Sequence, residues 1–170
     1  MQSSLVLTVL GSDRAGLVKS IAEAVAAHQG NWQESRMVHL AGQFAGLAHV
    51  TLPQEQLAAL TQTLQALQQD GLQILLQHCE TPTTRAITPL SLELLGHDRP
   101  GIIHDITRLL AALNVNIEEL ESEQRAAPMS SELMFYAHLK LGLPEGVTAD
   151  DVQGAFEAMP DPLTVDLSFS

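Results

Sequence analysis

Gly96-His97-Asp98-Arg99-Pro100-Gly101 is a short segment that occurs, with two changes, a second time in the chain. The other copy, Gly11-Ser12-Asp13-Arg14-Ala15-Gly16, lies eighty-five positions upstream. Each copy follows a short apolar run and precedes a stretch in which apolar residues recur at helical spacing. The pattern predicts a turn between a strand and a helix, and it predicts this turn twice. We call these segments turn 1 (Gly11–Gly16) and turn 2 (Gly96–Gly101).

The similarity between the two halves extends beyond the turns. An ungapped alignment of residues 5–32 with residues 90–117 gives identity at 11 of 28 positions. Some of these matches are common Leu and Ala residues, but the Gly-x-Asp-Arg-x-Gly block and the later Asn31 and Asn116 are more specific. We therefore interpret the chain as an internal duplication.

The first half predicts the order strand, helix, strand, strand, helix, strand. Short apolar runs that end at glycine or polar turns indicate strands, and leucines at helical spacing indicate helices. This order is that of the split βαβ or ferredoxin-like unit, an antiparallel sheet with both helices on one face. The predicted elements are a strand at 4–10, a helix at about 14–28, a hairpin of strands at 32–40 and 44–52, a helix opened by Pro53, and a strand at 72–78.

The second half repeats this order. A polar, proline-containing segment separates the halves and predicts a linker. The expected fold is therefore α+β, with one unit at 1–80, the linker at 81–86 and a second unit at 87–170. The second set of elements is a strand at 87–95, a helix from Ile102, a hairpin at about 116–124 and 133–141, a short helix around Val152 and Phe156, and a strand at 163–169.

The chain of 170 residues is 45% hydrophobic, enough to bury a core in each half, and has a net charge of −12. An acidic protein without Lys/Arg clusters is poorly suited to bind a nucleic-acid backbone directly. The charge is uneven: residues 1–85 hold four basic and six acidic residues, whereas residues 86–170 hold four and fourteen. The second half is thus the better surface for a basic partner.

Several classes of protein are disfavoured by what the sequence lacks. The single cysteine, Cys79, excludes an intrachain disulfide, and no apolar run is long enough for a membrane helix. The N-terminus has no basic region of a signal peptide, so we expect a soluble, cytoplasmic protein. Neither a phosphate-binding loop nor a nucleophile elbow occurs, and we expect no enzymatic activity and no cofactor.

The two turns have residue types suited to binding a small carboxylate. We expect the first glycine of each to let the chain leave its strand, the aspartate to cap the helix, and Pro100 to lie in the first helical turn. The last glycine would leave backbone amides open at the positive end of the helix dipole. Asn31 and Asn116 are expected beside the turns, where their amides can donate and accept. The alternative is a purely structural turn, duplicated with its domain.

The strand order, the Gly-x-Asp-Arg-Pro-Gly turn and the following Asn resemble ACT domains, the small regulatory modules of amino-acid metabolism. The resemblance covers essentially the whole chain, as two tandem ferredoxin-like βαββαβ (ACT) domains. A pair of this length is most similar to the glycine cleavage system transcriptional repressor family. By position, the resemblance implies ligand contacts from Gly11, Asp13, Arg14, Gly16, Asn31, Gly96, Asp98, Arg99, Gly101 and Asn116.

The same resemblance implies a cytoplasmic, non-enzymatic regulator that senses a small amino acid, with glycine expected. It would act through a DNA-binding activator protein and would not read DNA itself. ACT ligands usually lie between the turn of one unit and the edge of its neighbour, and this pairing could occur within one chain or across a homodimer. Because Ala15 replaces the proline of the pattern, we expect turn 2 to be the better site.

Other interpretations remain open at the level of sequence. The chain could be a protein-interaction module that binds no ligand, or a regulatory subunit of an amino-acid metabolic enzyme. His97 and His104, with Asp98 and Asp105 beside them, could bind a metal, but turn 1 lacks both histidines and surface histidines are the more common case. We therefore expect no metal site.

Overall fold

A computed structural model of the chain divides into two compact units, Met1–Thr83 and Thr84–Ser170. The structure describes residues 1–68, 71–79, 87–161 and 163–168. The predicted linker at 81–86 lies outside the described residues, so its exact limits stay a prediction. Each unit has its own four-stranded sheet and its own core of buried side chains.

The first unit has the predicted order of strands and helices. Its hairpin closes through Ala41 and Gly42, whose φ angles of 49° and 78° are both positive, as in a type I′ turn. A short 3₁₀ helix, Gln54–Gln56, separates Pro53 from the second helix. The main elements are β1 (Gln2–Ser12), α1 (Leu17–Ala27), β2 (Asn31–Leu40), β3 (Gln43–Pro53), α2 (Leu57–Gln68) and β4 (Leu72–His78).

The second unit repeats the order with a longer hairpin loop and a shorter second helix. That helix has nine residues where its counterpart α2 has twelve. It begins with a capping box, in which Thr148 and Asp151 satisfy each other's backbone N–H groups. The elements are β5 (Thr88–His97), α3 (Ile102–Ala112), β6 (Asn116–Ala126), β7 (Leu133–Leu143), α4 (Ala149–Glu157) and β8 (Thr164–Ser168).

Both sheets are antiparallel, with the strand orders β2-β3-β1-β4 and β6-β7-β5-β8. Alternate residues of the first central strand, Leu5, Leu7 and Val9, are buried in one cluster with Ile21 of α1 and Leu64 of α2. Since successive strand residues point to opposite faces, the helices cover a single face of the sheet. The second unit has the same arrangement, and the predicted α+β, ferredoxin-like fold class is confirmed.

Candidate functional site

Turns 1 and 2 share a backbone conformation. Gly16 and Gly101, the residues immediately before α1 and α3, have φ angles of 90° and 84° in the left-handed region. A Cβ atom at either position would meet no heavy atom within 4 Å. Backbone conformation, not lack of space, therefore favours glycine here. Because this conformation is not helical, α1 begins at Leu17 and not near Arg14 as predicted.

The predicted helix caps are wrong. In the described part of the chain, no side chain forms a cap hydrogen bond at the start of α1 or α3. Asp98 instead accepts a hydrogen bond from Nε2 of Gln124 at 2.6 Å, and the Asp13 carboxylate lies 3.6 Å from the ring of His39. Pro100 precedes the left-handed glycine and so lies outside the helix. Both helices therefore present first-turn N–H groups that no side chain caps, and such an end attracts small anions.

The first glycine of each turn also differs from expectation. Gly11 and Gly96 lie within β1 and β5 and are paired across the sheet, so they do not mark the point where the chain leaves the strand. A Cβ atom at Gly96 would lie 2.3 Å from Cδ2 of Leu163, and one at Gly11 would lie 3.1 Å from Cδ2 of Leu72. Close packing against a neighbouring segment explains these glycines.

Turn 1 borders a surface depression of about 310 Å³ at the start of α1. Arg14 and Lys19 line it, and Lys19 also forms an exposed ion pair with Glu23 at 3.5 Å. The carbonyl oxygen of Gly16 accepts from the backbone and the hydroxyl of Ser20, at 3.0 and 3.1 Å. The depression thus combines Arg14, the Lys19–Glu23 pair and an uncapped helix N-terminus, whose partial positive charge favours a carboxylate.

In turn 2 the equivalent arginine is engaged by carboxylates. Nη2 of Arg99 lies 2.7 Å from Asp105, and Nε lies 3.5 Å from Asp161. The hydrogen bond from Arg99, with a second from His104, holds the pKa of Asp105 below its usual value. Ser20 occupies the position of Asp105 in the first unit, so Arg14 has no such partner on its own helix. The ranking of turn 2 above turn 1, which was based on Pro100, stays a prediction.

Asn31 and Asn116 do not lie beside the turns of their own units. Asn31 pairs with Thr51, which pairs with Ser4 near the start of β1, whereas turn 1 begins at Gly11. Seven strand residues separate these positions, a span of about 23 Å. In the second unit Asn116 lies across from Gly142, at the same far end of the sheet. No small molecule can therefore contact both the turn and the Asn of a single unit.

Pairing across the sheet brings other side chains to the turns, and reasoning from the sequence missed them. Gln124 reaches Asp98 because it lies opposite Phe135, which in turn pairs with Gly96. Asp161 contacts Arg99 from the segment after α4. The sequence places Gln124 on the predicted hairpin, eight residues after Asn116. That position alone does not show that Gln124 lies near Asp98, because the pairing register of the strands must also be known.

The candidate metal ligands are placed separately. His97 lies 3.9 Å from Glu132, and His104 lies 3.4 Å from Asp105. Among residues 1–68, 71–79, 87–161 and 163–168, no three His, Cys, Asp or Glu side chains are grouped so that they could hold a metal ion. Each helix in the described part of the chain is too short or too polar to span a membrane.

Comparison with known proteins identifies the fold family. Two family models match the chain, both described as the ACT domain, over residues 3–77 and residues 90–139. The chain belongs to the ACT domain family. Both matches include a complete turn, so the tandem ACT architecture inferred from the sequence is confirmed.

Relatives of this tandem ACT chain include the glycine cleavage system transcriptional repressors of Escherichia coli (strain K12) and Shigella flexneri. Each is 24% identical over 160 residues, covering 93% of this chain and 84% of the relative. A solved structure of an unknown protein from Galdieria sulphuraria has a TM-score of 0.82 and 27% identity, over 100% of this chain and 99% of the other. A proposed glycine cleavage system transcriptional repressor has a TM-score of 0.71 and 16% identity over the same shares.

Proposed function

We propose that this tandem ACT protein is a non-enzymatic regulator that senses a small amino acid, with glycine the expected ligand, and controls transcription through a protein partner. The relation to two glycine cleavage system transcriptional repressors over 93% of the chain supports the regulatory role. The net charge of −12 supports control through a partner, since a protein of this charge is repelled by the phosphate backbone.

One observation carries the ligand proposal: a left-handed glycine precedes an uncapped helix in both units, at Gly16 and Gly101. The ligand carboxylate binds the free N–H groups of the helix, and the ammonium group binds the aspartate of the turn, Asp13 or Asp98. Asn31 and Asn116 lie too far from the turns of their own units to join this contact. We propose that each contacts a ligand held at a turn of a second copy of the chain, in a homodimer.

The two turns are expected to bind with different affinity. In turn 1, Arg14 and Lys19 line the depression and can add to the attraction for a carboxylate. In turn 2, Arg99 is held by Asp105 and Asp161, so a ligand there must compete with two carboxylates. We propose turn 1 as the tighter site, which reverses the order expected from Pro100.

Calorimetric titration with glycine and a panel of other amino acids tests this proposal. Glycine should bind, and Arg14→Gln should weaken binding more than Arg99→Gln does. Asn31→Ala and Asn116→Ala should each weaken it as well, whereas Gln62→Ala, an exposed change on α2, should not. Absence of heat with every amino acid would leave an interaction module that binds no ligand.

Capture of partners on the immobilised chain tests the second half of the proposal. A DNA-binding protein should be retained, and adding glycine should change the amount retained, because the ligand shifts the population of conformations. Retention of an amino-acid metabolic enzyme in its place would identify a regulatory subunit. Retention of a DNA-binding protein that ignores glycine would contradict the sensing role.

A further inference from the structure

The second unit contains a cleft that is lined by Arg99 of turn 2 together with residues beyond the turn. It lies between α3 and α4, has a volume of about 580 Å³ and is open to solvent on one side. Its walls are mostly apolar, with Leu109 from α3, Ala155 from α4 and Met159 just after α4. This volume falls within the range of about 300–1,000 Å³ that small-molecule sites usually have.

The repeat shows how the cleft arises. α4 has nine residues and α2 has twelve, so the second unit has less helix over the sheet. On the facing helix, the counterpart of Arg108 in the first unit is Glu23, which is ion-paired with Lys19. The cleft therefore belongs to the second unit's own sequence, and the shared ACT pattern does not account for it.

The charged side chains that line the cleft differ in whether they form ion pairs. Arg99 and Asp105 bind each other at 2.7 Å, and Asp161 contacts Arg99 at 3.5 Å. Arg108 also lines the cleft, and no hydrogen bond or ion pair to it is formed by the described residues. An arginine beside an apolar wall is a ready partner for a carboxylate. Although the charge of Arg108 also helps to lower the pKa of Asp105, its hydrogen-bond donors are not taken by the described residues and can pair with an anion.

We propose that this cleft binds a small monocarboxylate with an apolar body. The carboxylate pairs with Arg108, and the apolar body packs on Leu109, Ala155 and Met159, where burial of each methylene stabilises the complex. Arg99 of turn 2 also lines the cleft, but the contacts proposed here are made by residues outside the turn. Glycine has no apolar body, so a titration with glycine succeeds or fails independently.

Calorimetry on the full chain with three probes tests the chemistry. The probes are 4-methylpentanoate, acetate, which lacks the apolar body, and 4-methylpentan-1-amine, which lacks the carboxylate. We expect 4-methylpentanoate to bind at least about tenfold more tightly than either of the others. The amine loses a charge-assisted hydrogen bond, and acetate loses the burial of several apolar carbons; either loss is enough to give this ratio. Equal binding of the amine, or no binding of 4-methylpentanoate, would overturn the proposal.

Two variants locate the site. Arg108→Gln removes the charge at an exposed position, and Ala155→Leu fills the cleft; each should weaken 4-methylpentanoate binding at least about tenfold. The matched controls are Arg36→Gln on β2 and Ala66→Leu on the exposed side of α2, which should leave the affinity unchanged. Thermal unfolding checks that each variant folds. If Ala155→Leu fails to fold, Arg108→Gln alone decides, and an undiminished affinity in that variant refutes the site.

Discussion

Gly101 has a left-handed backbone (φ 84°) immediately before α3, and the space around it would admit a Cβ atom. The cost of a side chain there is therefore conformational. Gly101→Ala should lower the free energy of unfolding by about 1 kcal/mol, the usual penalty for a non-glycine residue in this region. Gly101→Asn should cost less, because asparagine tolerates this conformation. Urea denaturation of the full chain measures both.

The same substitution at Gly154 should have the opposite effect on stability. It lies inside α4, its φ is not positive, and a Cβ atom added there would meet no heavy atom within 4 Å. Gly154→Ala should raise the free energy of unfolding by up to about 1 kcal/mol, since alanine is the better helix former. If both alanine variants changed stability in the same direction, the conformational explanation for Gly101 would be wrong.

Asp105 makes the second unit sensitive to acid. Arg99 holds the pKa of this carboxyl below its usual value of 3.8 in the folded chain. A depressed folded pKa adds stability that is present above 3.8 and is lost as pH falls through the folded pKa. Asp105→Asn should therefore destabilise the chain at pH 7, and this effect should shrink progressively as pH falls below 3.8 towards the lowered folded pKa. Unfolding free energies of both proteins across this range test it, and a constant difference would contradict it.

The sequence located the residues of the two turns correctly, but it did not predict which contacts their side chains make. The repeat of Gly-x-Asp-Arg-x-Gly located both turns correctly. The caps assigned to Asp13 and Asp98 were wrong because each side chain has a partner on the hairpin, His39 or Gln124. Such partners depend on strand register, which local sequence around the aspartate does not contain.

At the scale of elements, α4 differs from α3 in how it begins. Thr148 accepts a hydrogen bond from Asp151 N at 3.2 Å, and the Asp151 carboxylate accepts one from Thr148 N at 2.8 Å. Thr148→Ala should cost about 1 kcal/mol of stability, the usual effect of losing an N-cap. Asp98→Ala should cost less, because Asp98 caps no helix. Comparing the two variants by urea denaturation tests this, and a larger loss for Asp98→Ala would contradict the observed caps.

The order of elements followed from the sequence because each has a clear period and a clear end. In α2 the leucines recur at helical spacing; Leu60 and Leu64 are fully buried, and Leu57 and Leu67 are partly buried. Asn31 and Asn116 were misplaced for a reason of topology. An eleven-residue helix runs back along the sheet, so the chain after it re-enters at the end far from the turn.

At the scale of the whole molecule, the two units have the same fold but different net charges. The two units share strand order and turn backbone, yet residues 86–170 have a net charge of −10 and residues 1–85 one of −2. The Arg99–Asp105 pair and the cleft beside Arg108 both belong to the more charged half. These different side chains around the same turn are the basis for the proposed difference in affinity between turn 1 and turn 2.

This charge leads to a prediction for the whole chain. A DNA duplex should not be retarded by the protein alone, even at about 50 mM salt, where non-specific binding is strongest, because too few Lys and Arg side chains are present to release counterions. The chain has 8 basic and 20 acidic residues, and the excess repels phosphate. A gel-shift titration measures this, with a basic DNA-binding protein as the positive control. A retarded band that weakens steeply with added salt would show direct contact with the phosphate backbone. That result would contradict control through a partner and would indicate that the chain binds DNA itself.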